Sequence, residues 1–380
     1  MEPFKNLINA GTVSAAGLHL QRAWTGFDRP RFEALANQGL DALELKARMH
    51  QLADAMRATL PADFNAACTV LEASLAPPLP LDARGEPSAL TSSETSTGLA
   101  GWVIWSMGEF VARYGQHDVP RSLNCLHALT QRSTAEFAIR PFIQQQPEAV
   151  WPVLTRWADD PSAHVRRLVS EGSRPRLPWG LRLQALVADP APTLPLLRAL
   201  QDDPSSYVRR SVAIHLNDIA KDHPALVAAW VKDHLTAATP ERSTLLRHAS
   251  RSLIKGGHAP TLAAWGLASG LTGQATLALS TPQASVGDTI GLRATLRSTA
   301  RVPQPLEVDY AVHHVRANGS TSPKVFKGWK LTLAANEVRT LDKRHSLKPV
   351  TTRTLYPGPH RIELRVNGVA LAEAAFDLGL

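Results

Sequence analysis

From residue 1 to about 270, apolar side chains recur every three or four positions, as in Leu43-Glu44-Leu45-Lys46-Ala47-Arg48-Met49-His50-Gln51-Leu52-Ala53-Asp54-Ala55-Met56. That spacing gathers them on one face of a helix and predicts a helical first part. The small, polar stretch 84–98 interrupts it and reads as a long loop. After about Gly273 the period changes to two, at 275–280, 291–296, 306–312 and 361–366, which predicts strands. Asn367-Gly368, between Val366 and Val369, predicts a tight hairpin. Several short strands in succession predict an immunoglobulin-like β-sandwich, with Tyr356-Pro357-Gly358 placed like a tyrosine corner and no cysteine for an inter-sheet bridge. The expected fold class is multidomain, α then β, with a helical domain over 1–268 and a sandwich over 272–380.

The helical part repeats. Asp159-Asp160-Pro161-Ser162-Ala163-His164-Val165-Arg166-Arg167-Leu168-Val169 returns 43 residues later as Asp202-Asp203-Pro204-Ser205-Ser206-Tyr207-Val208-Arg209-Arg210-Ser211-Val212, identical at eight of eleven positions. A period of ~40–47 residues is that of stacked HEAT or armadillo helix pairs, so the expected architecture is an α-α superhelical solenoid. Asp-Asp-Pro ends one helix, Ser is expected to cap the next, and Val-Arg-Arg opens the inner helix of each pair. A weaker third copy includes Arg247 and Arg251, and Ser133-Thr134-Ala135-Glu136 has the spacing of a capping box opening an earlier inner helix.

Charge sharpens this picture. The chain carries 41 Lys and Arg against 33 Asp and Glu, for a net charge of +8. The balance is −3 over 1–131, +5 over 132–271 and +6 over 272–380. A positive field confined to the later parts points first to nucleic acid, with an anionic membrane surface or mere solubility as the other readings. Inner-helix Arg166, Arg167, Arg209, Arg210, Arg247 and Arg251 would line or flank a concave face. About one Arg of each Val-Arg-Arg pair is expected to bond a neighbouring repeat's Asp, leaving the other for phosphate. Lys324, Lys327 and Lys330, around Phe326 and Trp329 near an expected loop, are a further basic cluster that would close a clamp on a duplex.

Several classes drop out. No apolar run of 18 residues occurs and no basic leader precedes an apolar segment, so neither a membrane span nor export is expected. Cys68 and Cys125 are expected to be small buried side chains in a reducing cytoplasm. The 14 histidines form no HExxH or Cys/His cluster and no GxxxxGK[ST] loop is present, so no metal or other cofactor is expected.

Glu171-Gly172-Ser173-Arg174-Pro175-Arg176-Leu177-Pro178-Trp179 is the least ordinary segment. Glu171 stands at the C-terminal end of a helix, where a carboxylate opposes the dipole at a cost of ~0.3–1 kcal/mol. Either it pairs with Arg174 in a rigid connection, or a proline-stiffened loop presents Arg174, Arg176 and an indole to phosphate beside an acidic catalytic group. Glu136 alone reads as the capping-box acid, four residues from Arg140.

At these positions the sequence resembles a known family. The run 134–142 (Thr-Ala-Glu-Phe-Ala-Ile-Arg-Pro-Phe), then 164–167 with 170–179, then 207–212 with 215–224, look like the AlkC branch of bacterial DNA alkylation repair glycosylases. The resemblance covers most of 1–265, and one subset of that branch carries a C-terminal immunoglobulin-like domain. Ile214 departs from the pattern, where Asn is expected. The resemblance implies a monofunctional DNA glycosylase, a cytoplasmic, nucleoid-associated bacterial monomer, that removes N3-methyladenine and N3-methylcytosine from double-stranded DNA without flipping the base. It implies Glu136 and Glu171 as the catalytic carboxylates, with Trp179 against the deoxyribose. Trp151 and Trp157 are better placed in the core. Arg140, Arg166, Arg167, Arg174, Arg176, Trp179, Arg209, Arg210, Arg247, Arg251, Lys324, Lys327 and Lys330 make up the expected DNA-binding set. The alternative is a non-catalytic HEAT-repeat scaffold that binds DNA or a protein.

Overall fold

The computed structural model describes residues 3–87, 94–95, 97–267, 270–351 and 353–379. Residues 88–93 and 96 of the expected loop, and residue 268 at the expected domain end, lie outside the described residues. The chain divides into two compact units, Met1–Asp222 and His223–Leu380.

The first unit is helical: α1 Ala10–Ala23, α2 Arg29–Asn37, α3 Leu45–Thr59, α4 Phe64–Ala73, a two-stranded ribbon of β1 Glu94–Thr95 and β2 Gly98–Leu99, α5 Val103–Tyr114, α6 Val119–Thr130, α7 Arg140–Gln145, α8 Pro147–Trp157, α9 Ala163–Gly172, α10 Gln184–Ala188, α11 Leu194–Leu200 and α12 Ser206–Ile219. The repeated motif forms the turns α8–α9 and α11–α12. Asp160 accepts from the Ser162 amide and Asp203 from the Ser205 amide, both at 2.8 Å, and the intervening prolines prevent helical continuation. Ser162 and Ser205 stand at the N-cap positions, but neither hydroxyl caps its helix. The aspartates instead shape the turn that leads into each helix, and the cap expected of the serines is not made. The first Arg of each pair staples its own turn: Arg166 donates to the Asp160 and Pro161 carbonyls, and Arg209 to those of Asp203 and Pro204. Arg166 also grips Asp203 of the next repeat at 2.6 and 3.0 Å, the neighbour bond expected of one Arg in its pair.

No helix starts at Ser133. The chain turns until α7 begins at Arg140, because Glu136 is drawn to Arg167 instead of back to the Ser133 amide. Trp157 is core, and Trp151 is half-buried. Cys68 and Cys125 are buried and unbridged.

His215 of α12 is wholly buried, and its Nδ1 meets the Ser170 carbonyl of α9 at 2.8 Å. Burial pushes its pKa down to about 4, so below pH ~6.5 the unfolded chain takes up a proton that the folded chain refuses. Stability is therefore highest above pH ~6.5 and falls as pH drops toward 4. We expect this histidine to cost about 2 kcal/mol between pH 7 and pH 5. Urea unfolding of the wild type and His215→Asn at both pH values checks this, since the variant should lose less on acidification.

The second unit contains α13 Pro224–Leu235, α14 Pro240–Ala249, α15 Arg251–Lys255 and α16 Ala259–Ala264, then eight strands. These are β3 Gly273–Leu279, β4 Gln283–Ser285, β5 Thr289–Ser298, β6 Gln304–Val315, β7 Thr321–Leu333, β8 Val338–Ser346, β9 Gly358–Val366 and β10 Val369–Gly379. They form a five-stranded sheet β4-β10-β9-β6-β7 and a three-stranded sheet β3-β5-β8. Residues from both sheets, such as Ile290, Leu292, Tyr310 and Ile362, share one core. Asn367 and Gly368 both have positive φ, 49° and 78°, in the expected hairpin. A Cβ on Gly368 would come within 2.3 Å of the Gly257 Cα, so the α15–α16 turn also demands glycine there. Tyr356 is half-buried and has no corner hydrogen bond among the described residues.

Candidate functional site

Glu136 precedes α7, and Glu171 lies in the last turn of α9. Both are buried, at 8% and 5% exposure. Arg167, one turn before Glu171, lies between them, 2.6 Å from Glu136 Oε2 and 3.7 Å from Glu171 Oε1. The Thr134 hydroxyl donates to Glu136 Oε2 at 2.6 Å and accepts from Arg167 at 3.0 Å, leaving Glu136 Oε1 without a partner among the described residues. Glu171 is held more fully. Arg174 lies 2.5 Å from its Oε1, and Ser211 of α12 donates to its Oε2 at 2.6 Å. Burial alone would raise the Glu171 pKa, but Arg167, Arg174 and the Ser211 bond outweigh it and hold the carboxyl below its usual range. Glu171 thus stays ionised.

Arg174 continues the chain of charge to Asp218 of α12 at 2.8 Å, and Lys221 closes it at 2.8 Å. At 6% exposure with two carboxylate partners, Arg174 is a positioning residue for Glu171 and does not present its fork to solvent. Of the two alternatives for this segment, the Glu171–Arg174 pair is the one formed. Arg176 is paired with Asp222 at 2.7 Å, partly exposed. Arg140 lies under the site with no exposure, donating to the carbonyls of Gly172, Arg174 and Leu181. Burial and Arg174 lower its pKa to about 10, and it pins the 172–181 loop where a phosphate contact was expected.

The carboxylates open into a cavity of 340 Å³ whose apolar walls are Trp102 just before α5, Trp105 in its first turn, Phe137, Leu177, Pro178 and Trp179. Trp105 stacks on Phe137 at 4.7 Å. Trp179 is 54% exposed and has φ of 64°, a left-handed backbone that is rare for a bulky side chain. Lys46 holds it there by donating to its carbonyl, and Phe4 lies against its ring at 6.0 Å.

Of the expected DNA-facing residues, Arg174 and Trp179 line this cavity, and Arg167 joins its two glutamates. Arg210 lies one ring away, since Tyr207 has the Arg167 guanidinium at 5.0 Å and that of Arg210 at 5.9 Å. Arg166 and Arg209 belong to the repeat turns. In the second unit, Arg247 pairs with Glu307 and lies over Trp265, and Arg251 meets His248. Lys324, Lys327 and Lys330 are exposed but lie within strand β7, not near a loop. A bulge opposite Val308/Asp309 shifts the alternation. Lys324 therefore shares the side of Phe326 while Lys327 and Lys330 point the other way. Trp102, Trp105, Ser211, Tyr207 and Asp218 were not singled out from sequence. Asp218 carried a signal, standing about one repeat after Arg174.

Among the described residues no group of three or more His, Cys, Asp or Glu side chains is arranged to hold a metal ion, and no helix is long and apolar enough to cross a membrane.

Comparison with known proteins fits this architecture. Residues 274–380 match a family model described as the C-terminal Ig-like domain of uncharacterised protein YhaZ. The uncharacterized protein YhaZ of Bacillus subtilis (strain 168) is 33% identical over 370 residues, covering 97% of each chain. A solved structure, Pseudomonas fluorescens alkylpurine DNA glycosylase AlkC bound to DNA containing an abasic site analog, superposes with a TM-score of 0.89 at 33% identity, over 100% of both chains. A helical unit followed by an immunoglobulin-like sandwich is thus common ground, and the chain belongs to the AlkC-type family, in the branch with a C-terminal immunoglobulin-like domain.

Proposed function

We propose that the protein is a monofunctional DNA glycosylase that hydrolyses the N-glycosidic bond of cationic N3-alkylated bases, N3-methyladenine and N3-methylcytosine, in duplex DNA. The observation that carries this reading is the pair of glutamates bridged by Arg167 at the floor of an aromatic cavity. Alkylation at N3 makes the base cationic, so the breaking bond delivers its electron pair to a base that leaves neutral and needs no acid. The remaining barrier is the oxocarbenium-like sugar and the arrival of water, and carboxylates serve both. Glu136, with Oε1 free, is suited to accept the proton of the water that adds to C1′. Glu171 remains an anion beside the sugar. Aromatic faces such as Trp179 add cation–π attraction for the positive sugar. Since no acid need reach the base, we propose that it is not extruded, and that no metal or other cofactor takes part.

The experiment is direct. The protein is incubated with methylated duplex, without metal or nucleotide, and free bases and abasic sites are counted. Release of N3-methyladenine and N3-methylcytosine supports the reading, whereas duplex binding with no release returns the protein to the scaffold alternative.

We further propose that residues 1–268 act as a monomeric catalytic domain and that the sandwich, 272–380, adds a second basic contact to the duplex, with Lys327 and Lys330 on one face of β7. Reversing both charges should weaken duplex affinity several-fold at ~0.1 M salt and slow excision without abolishing it. Unaltered affinity there would refute the contact.

A further inference from the structure

Residues 82–87 form a strap fastened to the start of α12. Asp82 folds its tip by accepting from the Arg84 and Glu86 amides at 2.8 and 2.9 Å. The Ser206 amide donates to the Arg84 carbonyl at 3.1 Å, and the Ser205 hydroxyl to the Gly85 carbonyl at 2.8 Å. Gly85 has φ of 74°, and a Cβ there would come within 3.0 Å of the Ser205 backbone. The strap's backbone is therefore held against the start of α12. Glu86 takes the Arg210 guanidinium with both oxygens, at 2.6 Å each, and accepts from the Ser206 hydroxyl at 2.9 Å.

Arg210 stands at the repeat position of Arg167, 43 residues on, and the two arginines flank the Tyr207 ring. Arg167 holds the glutamates of the site, so Arg210 lies along the same surface one side chain away. Its side chain is 50% exposed. A planar fork bound by two oxygens is the geometry in which Arg binds a phosphodiester.

We propose that Glu86 is an intramolecular stand-in for a DNA phosphate: it occupies Arg210 in the free protein and must be displaced when a duplex engages. This rests on the glycosylase reading above. The latch weakens binding to every duplex equally, lesion or none, because it competes for backbone and not for base. An exposed ion pair is weak enough for a phosphate to replace it. The Glu86 carboxylate then swings to solvent while the strap stays in place.

The test uses the full chain with Glu86→Gln, Arg210→Ala and the double variant. Affinity for undamaged duplex is measured from ~0.05 to ~0.3 M salt, together with single-turnover excision at saturating alkylated duplex. Glu86→Gln should bind about 2- to 5-fold tighter at ~0.1 M salt, with a slope of log affinity against log salt steeper by up to ~1. Its saturated excision rate should be unchanged. In the Arg210→Ala background the same substitution should give no gain. An unchanged or weaker affinity for Glu86→Gln, or an equal gain without Arg210, overturns the latch. Absence of duplex binding in the wild type and every variant overturns the glycosylase reading as well, so the two failures are distinct.

Discussion

Glu136→Gln and Glu171→Gln are each expected to lower single-turnover excision by ~10²–10⁴-fold, about 3–5 kcal/mol of barrier, with little change in duplex affinity. Both amides nearly match the carboxylates in size. Arg167 would keep Glu171 when Glu136 is changed, and Arg174 would keep Asp218 when Glu171 is changed. The fold should therefore survive either substitution, and what is lost is negative charge beside the sugar. N3-methylcytosine duplex is the cleaner substrate, because N3-methyladenine leaves spontaneously and sets a floor on the measured rate. Near-normal rates for both variants would remove the glutamates from the chemistry. The depressed pKa of Glu171 adds a pH expectation: its negative charge persists as pH falls through the mildly acid range, so any acid limb of the rate should come from another group.

What the sequence made legible was what is local. Asp-Asp-Pro-Ser stops one helix and opens another through bonds that span two residues, so the motif announces its turn wherever it occurs. Asn367-Gly368 likewise carries its own left-handed geometry. Strand β7 was not legible, because lysines at 324, 327 and 330 break the alternation. Gly328, at the bulge opposite Asp309, shifts the parity, and an edge strand tolerates the charge. The supposed capping box at Ser133 failed for a related reason. Its acid, Glu136, finds a partner 31 residues away in Arg167, and a distant charge outcompetes a local amide. The aromatic wall was hidden because Trp102 and Trp105 come from the start of α5 and the residue before it, outside the recognisable repeat. The two glutamates were singled out by motif resemblance. What brings them together is a single arginine of the repeat, at a position from which phosphate binding was expected.

Arg174→Ala is expected to be the most destabilising single change in the site. Arg174 is buried between Glu171 and Asp218, and its removal takes the closest cation from two buried carboxylates, leaving Glu171 to Arg167 and Ser211 and Asp218 to Lys221. Breaking a buried pair from one side typically costs ~3–5 kcal/mol, because the remaining charge is out of water and short of a partner. Excision should fall as well, since Glu171 loses the contact that sets its Oε1. The salt dependence of duplex binding should not move, because a guanidinium closed in by two carboxylates displaces no counterions from DNA. Arg176→Ala is the contrast: partly exposed and paired only with Asp222, it should cost little stability. Chemical unfolding and salt titration of both variants decide the matter. If Arg174→Ala retains wild-type stability while its salt slope drops by ~1, Arg174 is a phosphate contact after all and the buried chain from Glu171 to Lys221 does not hold the site.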